Sequence, residues 1–129
     1  MLLTQPIGDI HRRLLKRYVR KGCFDAVQLD RYVGWMDYTE GRRWFAHFFA
    51  GYSVRVRPEL TVGLPSITCP TAVIWGDSDS YCPLATAEEL AVSIPRAALT
   101  RIAGADHYVM EERPDEVTQA LQRWLQIPA

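Results

Sequence analysis

The chain has 129 residues, a length that suits one domain with a single hydrophobic core. Hydrophobic residues make up 48% and charged residues 23%, as in ordinary globular proteins, and no apolar run reaches the ~20 residues that span a bilayer. The net charge is zero, and the start of the chain lacks a secretory signal pattern. These features predict a cytoplasmic protein, and we expect no membrane partner.

The three cysteines, Cys23, Cys69 and Cys82, form no CxxC pair, which argues against a disulfide framework and against a thiolate metal site. Charge is unevenly spread: residues 1–57 carry 11 Lys or Arg against 5 Asp or Glu, and residues 58–129 carry 4 against 10. Such asymmetry is typical either of a face that binds nucleic acid or a membrane, or of two segments that attract each other. We favour the second interpretation because it needs no outside partner, and we expect no nucleic acid, metal or cofactor.

The first segment is predicted to be helical. A helix over 9–21 places Ile10, Leu14 and Tyr18 on one inward face, with Arg and Lys side chains on a solvated face. Further helices are expected over 29–37 and about 40–51. The stretch 53–69 is predicted to be mostly a linker, with a short helical turn near Glu59 and Leu60.

Aromatic residues repeat at helical spacing in the third helix, at Trp44, Phe45, Phe48, Phe49 and Tyr52. Two interpretations stay open, a lid that roofs an apolar substrate pocket and simple packing of the helix. We expect packing for most of them and select Trp35, Trp44 and Phe48 as candidate substrate-binding residues.

The pattern changes at Pro70. A buried strand is predicted over 71–75, an amphipathic helix over 84–94 and a second strand over 98–102. A last helix is expected from Pro114, and its predicted inward face consists of Val117, Leu121, Trp124 and Leu125. Strand and helix in alternation predict an α/β fold with parallel strands.

A carboxylate and an imidazole follow the two predicted strands. Asp79 lies in the loop after the first strand and His107 in the loop after the second. The carboxyl ends of neighbouring parallel strands lie ~5 Å apart, so these side chains can meet. A carboxylate that accepts a hydrogen bond from a histidine fixes its tautomer and stabilises its charged form. The pair is therefore a candidate acid and base of a catalytic triad.

The loops and their flanking segments resemble the last third of α/β-hydrolases of the epoxide-hydrolase, haloalkane-dehalogenase and esterase type. The family's Trp-Gly-x-x-Asp loop matches Trp75 to Asp79, and its histidine loop matches Gly104 to Tyr108. The resemblance implies that Asp79 is the catalytic acid and His107 the base, while Asp77 caps a turn. Asp106 departs from the family pattern, which has a small glycine there.

The resemblance covers residues 67–125 well and residues 1–60 only loosely. It implies a partial α/β-hydrolase fold, with a helical lid and linker over 1–66 and a C-terminal βαβα core over 67–129.

A nucleophile is missing from the pattern. The family carries it in a Gly-x-Ser-x-Gly elbow ahead of the lid, and the 129 residues contain no such elbow. Ser53 lacks the second glycine and follows a helix. Cys82 is not favoured as a thiol nucleophile because it lacks an elbow and an oxyanion hole. The sequence therefore predicts a truncated or split hydrolase.

Two functions stay open. The resemblance implies hydrolysis of a small apolar ester, lactone, epoxide or halide, with a nucleophile from outside this chain. The alternative is a non-catalytic remnant or interaction module that oligomerises through an exposed sheet edge. The expected partners are a second copy of the chain or a complementary chain that carries the N-terminal half, and whether the chain is itself an enzyme stays open.

Overall fold

A computed structural model describes residues 6–52 and 58–126. Within these ranges the elements before residue 67 are all helical, and strand and helix alternate after it. The elements in chain order are α1 (Ile7–Arg20), α2 (Ala26–Val33), a 3₁₀ helix (Gly34–Asp37), α3 (Thr39–Gly51), α4 (Pro58–Gly63), a 3₁₀ helix (Leu64–Ser66), β1 (Thr71–Gly76), α5 (Leu84–Ser93), β2 (Ala97–Ile102), α6 (Val109–Glu112) and α7 (Pro114–Leu125). The predicted α/β class is confirmed.

The chain divides into two compact units, residues 1–55 and residues 56–129. The predicted division at residue 66, between a lid with its linker and a hydrolase core, concerns their roles and stays a prediction. None of the helices within the described ranges is long and apolar enough to cross a membrane.

The first unit packs around α1 and α3. Ile7, Met36 and Phe45 form a buried cluster, and Trp35 packs against it. Tyr18 is fully buried, and its ring meets Phe24 edge to face at 5.9 Å. These contacts hold the turns between the helices because each joins residues from different elements.

The predicted inward face of α1 is wrong in part. Tyr18 is buried as expected, but Ile10 is 44% and Leu14 is 54% exposed. Ile7 and Leu15 take the buried positions instead. The helix is therefore rotated relative to the prediction, because apolar residues stand on both candidate faces and the packing partner decides between them.

An ion-pair cluster joins α1 to the second half of the unit. The Arg12 guanidinium donates to Asp37 Oδ1 and to Asp30 Oδ1, each at 3.1 Å. Its hydrogen bond holds the pKa of the Asp37 carboxyl below the usual range, against the opposing effect of burial. The sequence places Arg12 among the Arg and Lys side chains of the solvated face of α1, and the structure shows that it links α1 to two other elements.

Helix α2 begins three residues earlier than predicted. The Asp25 side chain accepts from the backbone N–H of Gln28 at 2.7 Å, and the Gln28 side chain accepts from the backbone N–H of Asp25 at 2.9 Å. This reciprocal capping box satisfies two N–H groups that an uncapped helix leaves unpaired. The helix starts at Ala26 for that reason and passes into the 3₁₀ helix at Gly34.

The second unit is built on two parallel strands. Thr71 of β1 pairs with Ala97 of β2, and the register runs without a break to Gly76 and Ile102. Helix α5 connects the strands and buries Ala87 completely. Because both strands end at the same register position, the loops that follow them start side by side.

Beyond β2, the chain packs back onto the sheet. Ile102, Ala105 and Val109 form a buried cluster, against which Ile74 and Val117 pack. The short helix α6, which contains Val109, was not predicted. It starts directly after the His107 loop and fixes that loop against the end of the sheet.

The predicted inward face of α7 needs correction. Val117 contacts the core, but Leu121, Trp124 and Leu125 are 41%, 37% and 52% exposed. Ala120 is the buried residue of this helix. The apolar stripe identified the helix correctly, but within the described part of the unit only the first half of α7 packs against other residues.

Candidate active site

The loops after β1 and β2 are joined by backbone hydrogen bonds. The Asp77 N–H donates to the Ile102 carbonyl at 3.1 Å, and the Ser78 N–H donates to the Ala105 carbonyl at 3.0 Å. These bonds extend the strand pairing by two residues beyond the sheet. They join the loop after β1, which we call the acid loop, to the loop after β2, which we call the histidine loop.

Two glycines permit this close approach. A Cβ atom on Gly76 would lie 2.4 Å from the Ala105 carbonyl oxygen, a distance that no side chain can occupy. Gly104 has a φ of +66°, in the left-handed region that glycine adopts without strain. Both glycines belong to the segments that carried the sequence resemblance, and each has a local physical reason.

Asp79 lies at the centre of the acid loop. Its Oδ1 accepts from the backbone N–H groups of Tyr81 and Cys82, each at 2.8 Å. Its Oδ2 lies 3.0 Å from Nδ1 of His107, and its side chain is only 5% exposed. The predicted contact between Asp79 and His107 is confirmed, and their catalytic roles stay predictions.

The surroundings of Asp79 favour its ionised form. Burial alone would raise the pKa of the carboxyl, but the hydrogen bonds from Cys82, Tyr81 and His107 outweigh it and hold the pKa below its ordinary value. Asp79 is therefore a fixed negative charge at neutral pH. Such a charge can orient a histidine without taking its proton.

His107 is the more exposed partner, with 40% of its side chain accessible. Its Nδ1 faces the carboxylate, so a neutral ring that donates there leaves Nε2 with the free lone pair. The ring of Tyr81 lies 5.0 Å from the imidazole, and that of Tyr108 lies 5.7 Å away in an edge-to-face contact. The imidazole therefore contacts one carboxylate and two aromatic rings.

Asp77 binds backbone and not the histidine ring. Its Oδ1 accepts from the Gly104 N–H at 2.8 Å and from the Ser78 hydroxyl at 3.0 Å. The carboxylate therefore ties the start of the histidine loop to the acid loop. This local structural role agrees with the expectation that Asp77 is not the catalytic acid.

Asp106 is a buried residue of the histidine loop whose structural role the sequence did not reveal. It is 6% exposed, and its Oδ1 accepts from the Ser80 N–H and hydroxyl at 3.0 Å and from the His107 N–H at 2.8 Å. Its own N–H donates to the Glu112 carboxylate at 3.0 Å. A carboxylate at a position where the family pattern has glycine was the available signal, since a buried charge requires several donors.

A cavity of about 280 Å³ opens beside the pair. Asp79 and His107 supply its polar groups, and Ile74, Trp75 and Met110 contribute to its apolar walls. Its volume is just below the range of about 300–1,000 Å³ that is usual for ligand pockets, and its mixture of apolar walls with a few convergent polar groups is typical of them.

The predicted substrate-binding aromatics lie in the first unit. The rings of Trp35 and Trp44 meet at 5.3 Å, and those of Trp44 and Phe48 stack at 5.4 Å. Trp44 is 58% and Phe48 48% exposed, while Phe45 is the buried aromatic of α3. The structure brings these three candidates together, and their role in substrate binding stays a prediction.

The lowered pKa of Asp79 predicts an acid-dependent loss of stability. An ionised Asp79 stabilises the fold fully above the ordinary carboxyl pKa of 3.8, and this contribution disappears as the pH falls through the folded value. The difference in unfolding free energy between wild type and Asp79→Asn should therefore be constant above about pH 5 and shrink as the pH falls below 3.8, in denaturant titrations. Each unit of pKa difference corresponds to about 1.4 kcal/mol.

His107→Gln provides the matched comparison for that titration. It leaves the donors of Tyr81 and Cys82 in place, so a large part of the pH dependence should persist in this variant. A difference between wild type and Asp79→Asn that is constant over the whole range would contradict the assigned hydrogen bonds.

Family and structural comparisons agree with this fold. The profile of the alpha/beta hydrolase family matches residues 2–120 of the chain. The polyketide synthase ThaQ of Burkholderia thailandensis is 48% identical over 54 residues, which are 42% of this chain and 3% of that protein. A putative esterase/lipase of Haemophilus influenzae is 36% identical over 56 residues, which are 43% of this chain and 20% of that protein.

Solved structures superpose over nearly the whole chain. A bacterial membrane phospholipase A, described as a virulence factor, has a TM-score of 0.69 at 24% identity over 97% of this chain and 39% of its own. A hydrolase from a lagoon-sediment metagenome reaches 0.59 at 20% identity over 98% and 73%. A thermophilic esterase of Thermogutta terrifontis reaches 0.56 at 26% identity over 95% and 51%.

The matches to the two curated relatives span a small part of their lengths, and the chain covers less than two thirds of the phospholipase and of the thermophilic esterase. The match of the family profile over most of the chain and the shared fold nevertheless identify the protein: it belongs to the alpha/beta hydrolase family.

Proposed function

We propose that the chain provides the acid and the base of an esterase-type hydrolase site, with Asp79 orienting His107. The observation that carries this proposal is the 3.0 Å contact between the Asp79 carboxylate and His107 Nδ1. The contact lies at the carboxyl ends of two adjacent parallel strands, where functional groups of α/β sheets gather. The hydrogen bonds of Asp79 keep it charged, as an orienting acid must be.

In this proposal His107 Nε2 takes the proton of an attacking hydroxyl and returns it to the leaving alcohol. The imidazolium that forms between these steps is stabilised by the Asp79 carboxylate. The hydroxyl itself comes from outside the 129 residues, either from a preceding segment or from a separate chain, since the sequence holds no Gly-x-Ser-x-Gly elbow. The chain would then be the C-terminal half of a truncated or split enzyme.

The substrate class that fits best is a small apolar carboxylic ester. The walls of the cavity beside His107 are largely apolar, and its volume of about 280 Å³ suits a short acyl or alkyl group. The names of the Haemophilus influenzae and Thermogutta terrifontis relatives also favour esters over the lactones, epoxides and halides that the sequence left open.

The proposal predicts that the chain alone hydrolyses p-nitrophenyl acetate and butyrate no faster than background. Loss of a triad nucleophile removes about 10⁶-fold in rate in a well-studied serine protease. Turnover should appear when the chain is purified together with the product of an upstream reading frame that encodes the elbow. His107→Ala should then lower kcat by at least about 10⁴-fold.

Asp77→Asn is the matched control, because it removes a carboxylate from the same loop without removing the contact to His107. Its effect on kcat should be much smaller than that of Asp79→Asn. Rapid hydrolysis by the chain alone that disappears in His107→Ala would contradict the external nucleophile and would place one within the 129 residues.

A second candidate function is an interaction module, and the sheet favours it. Within the described ranges the sheet consists of β1 and β2 alone, and two strands make a marginal sheet in water. Val73, Ile74 and Trp75 make β1 an apolar strand whose edge can template pairing with another chain. We propose a second copy of the chain, or the chain that carries the elbow, as the partner.

This candidate predicts a dimer or larger assembly of the purified chain at micromolar concentration, measured by sedimentation equilibrium. Val73→Lys would bury a charge and unfold the unit, because Val73 is a buried residue of β1. Ala72→Pro is the sharper variant: the Thr71 N–H donates to the Arg96 carbonyl, so the next N–H along the strand, that of Ala72, points to the free edge. It should reduce association while circular dichroism retains the helical signal. A monomeric wild type with β1 amides protected from hydrogen exchange would contradict the candidate.

A further inference from the structure

We propose that Asp79, Cys82 and His107 form a binding site for a zinc ion, with a fourth coordination position left open. One ligand atom from each side chain, a carboxylate oxygen, the thiol sulfur and a ring nitrogen, lies within 4.8 Å of the other two. The spacing of the cysteines gave no sign of such a site, because the three ligands come from two loops that only the fold brings together.

The donor set selects the metal. Zinc binds sulfur, imidazole nitrogen and carboxylate oxygen at about 2.0–2.3 Å, most often with four ligands in a tetrahedron. Ligand atoms in such a tetrahedron lie about 3.3–3.8 Å apart, so the three groups need to move by roughly 1 Å or less to close around the ion. Magnesium and calcium, which prefer oxygen ligands, are excluded by the sulfur and the ring nitrogen.

The acid loop fixes two of the ligands. The backbone N–H of Cys82 donates to Asp79 Oδ1 at 2.8 Å, and the Cys82 carbonyl accepts from Trp75 Nε1 at 3.0 Å. Both backbone polar groups of Cys82 are thus hydrogen-bonded, which fixes the position of the backbone from which its side chain extends. Asp79 Oδ1 is occupied by backbone donors, so Oδ2, which faces His107, is the oxygen available to the ion.

Charge also favours a divalent cation. Asp79 is an ionised carboxylate held in a largely buried position, and a bound thiolate would add a second negative charge. A divalent ion neutralises both, and the amide hydrogen bonds to Asp79 would hold the carboxylate in place as metal ligands usually require.

The site uses the same histidine as the proposed hydrolytic reaction. A zinc ion on His107 would remove the base from proton transfer, so metal binding and ester hydrolysis would exclude each other. The metal site does not depend on the proposed function, because it needs neither a nucleophile nor a substrate.

The test is a titration of the full reduced chain with Co²⁺ and then with Zn²⁺. We expect a thiolate-to-cobalt charge-transfer band that saturates at one equivalent and is abolished by one equivalent of zinc. Cys82→Ser should abolish the band, and Asp79→Asn or His107→Gln should weaken zinc binding by at least about tenfold in isothermal titration calorimetry.

Cys69→Ser is the matched control, since Cys69 is an exposed free cysteine outside the site. It should keep the cobalt band and the zinc affinity of the wild type. Absence of the band from a folded wild type would overturn the proposal, as would a band that survives Cys82→Ser or disappears in Cys69→Ser. Because no outcome depends on turnover, failure of the metal site is distinguishable from failure of the hydrolytic proposal.

Discussion

The register between β1 and β2 is the constraint on which the candidate site depends. Gly76 and Ile102 are paired as the last residues of their strands, so the two following loops leave the sheet side by side. A shift by one residue would turn every side chain of a strand to the other face and separate the loops. Glycine at position 76 permits this register, because the Cβ atom of any other residue there would collide with the Ala105 carbonyl.

Three carboxylates in these loops have different roles, because each accepts hydrogen bonds from different donors. Asp77 accepts from the backbone of Gly104, and Asp106 accepts from Ser80 and from the backbone of His107. Only Asp79 faces the imidazole. Asp79 also accepts from the backbone of Tyr81 and Cys82 through Oδ1, which fixes its own loop while Oδ2 faces the ring.

The sequence predicted those parts of the molecule that follow from short-range patterns. The apolar β-branched run before Gly76 indicated β1, and the position of Asp79 and His107 after successive strands indicated their contact. The role of Asp106 could not be predicted, because which donors a loop carboxylate meets depends on backbone directions that have no periodicity. Proximity of Cys82 to His107 depends on the same loop path.

Helix faces were harder to predict than helices. In α1 the apolar residues are compatible with either of two buried faces. The face with Ile7 and Leu15 is the buried one because of the elements that pack against it, which the sequence of the helix does not reveal. In α3 the aromatic period identified the helix, yet Trp44 and Phe48 remain largely exposed within the described structure. Periodicity specifies which residues share a face, and it does not specify what covers that face.

The central claim is that Asp79 sets the tautomer of His107, and long-range ¹H–¹⁵N correlation spectra of histidine-labelled protein test it most directly. At a pH where the ring is neutral, the wild type should carry its proton on Nδ1. In Asp79→Asn the amide oxygen stays with the Tyr81 and Cys82 donors, so its NH₂ group faces Nδ1 and shifts the proton to Nε2. A wild-type ring protonated on Nε2, or a tautomer unchanged in Asp79→Asn, would contradict the account.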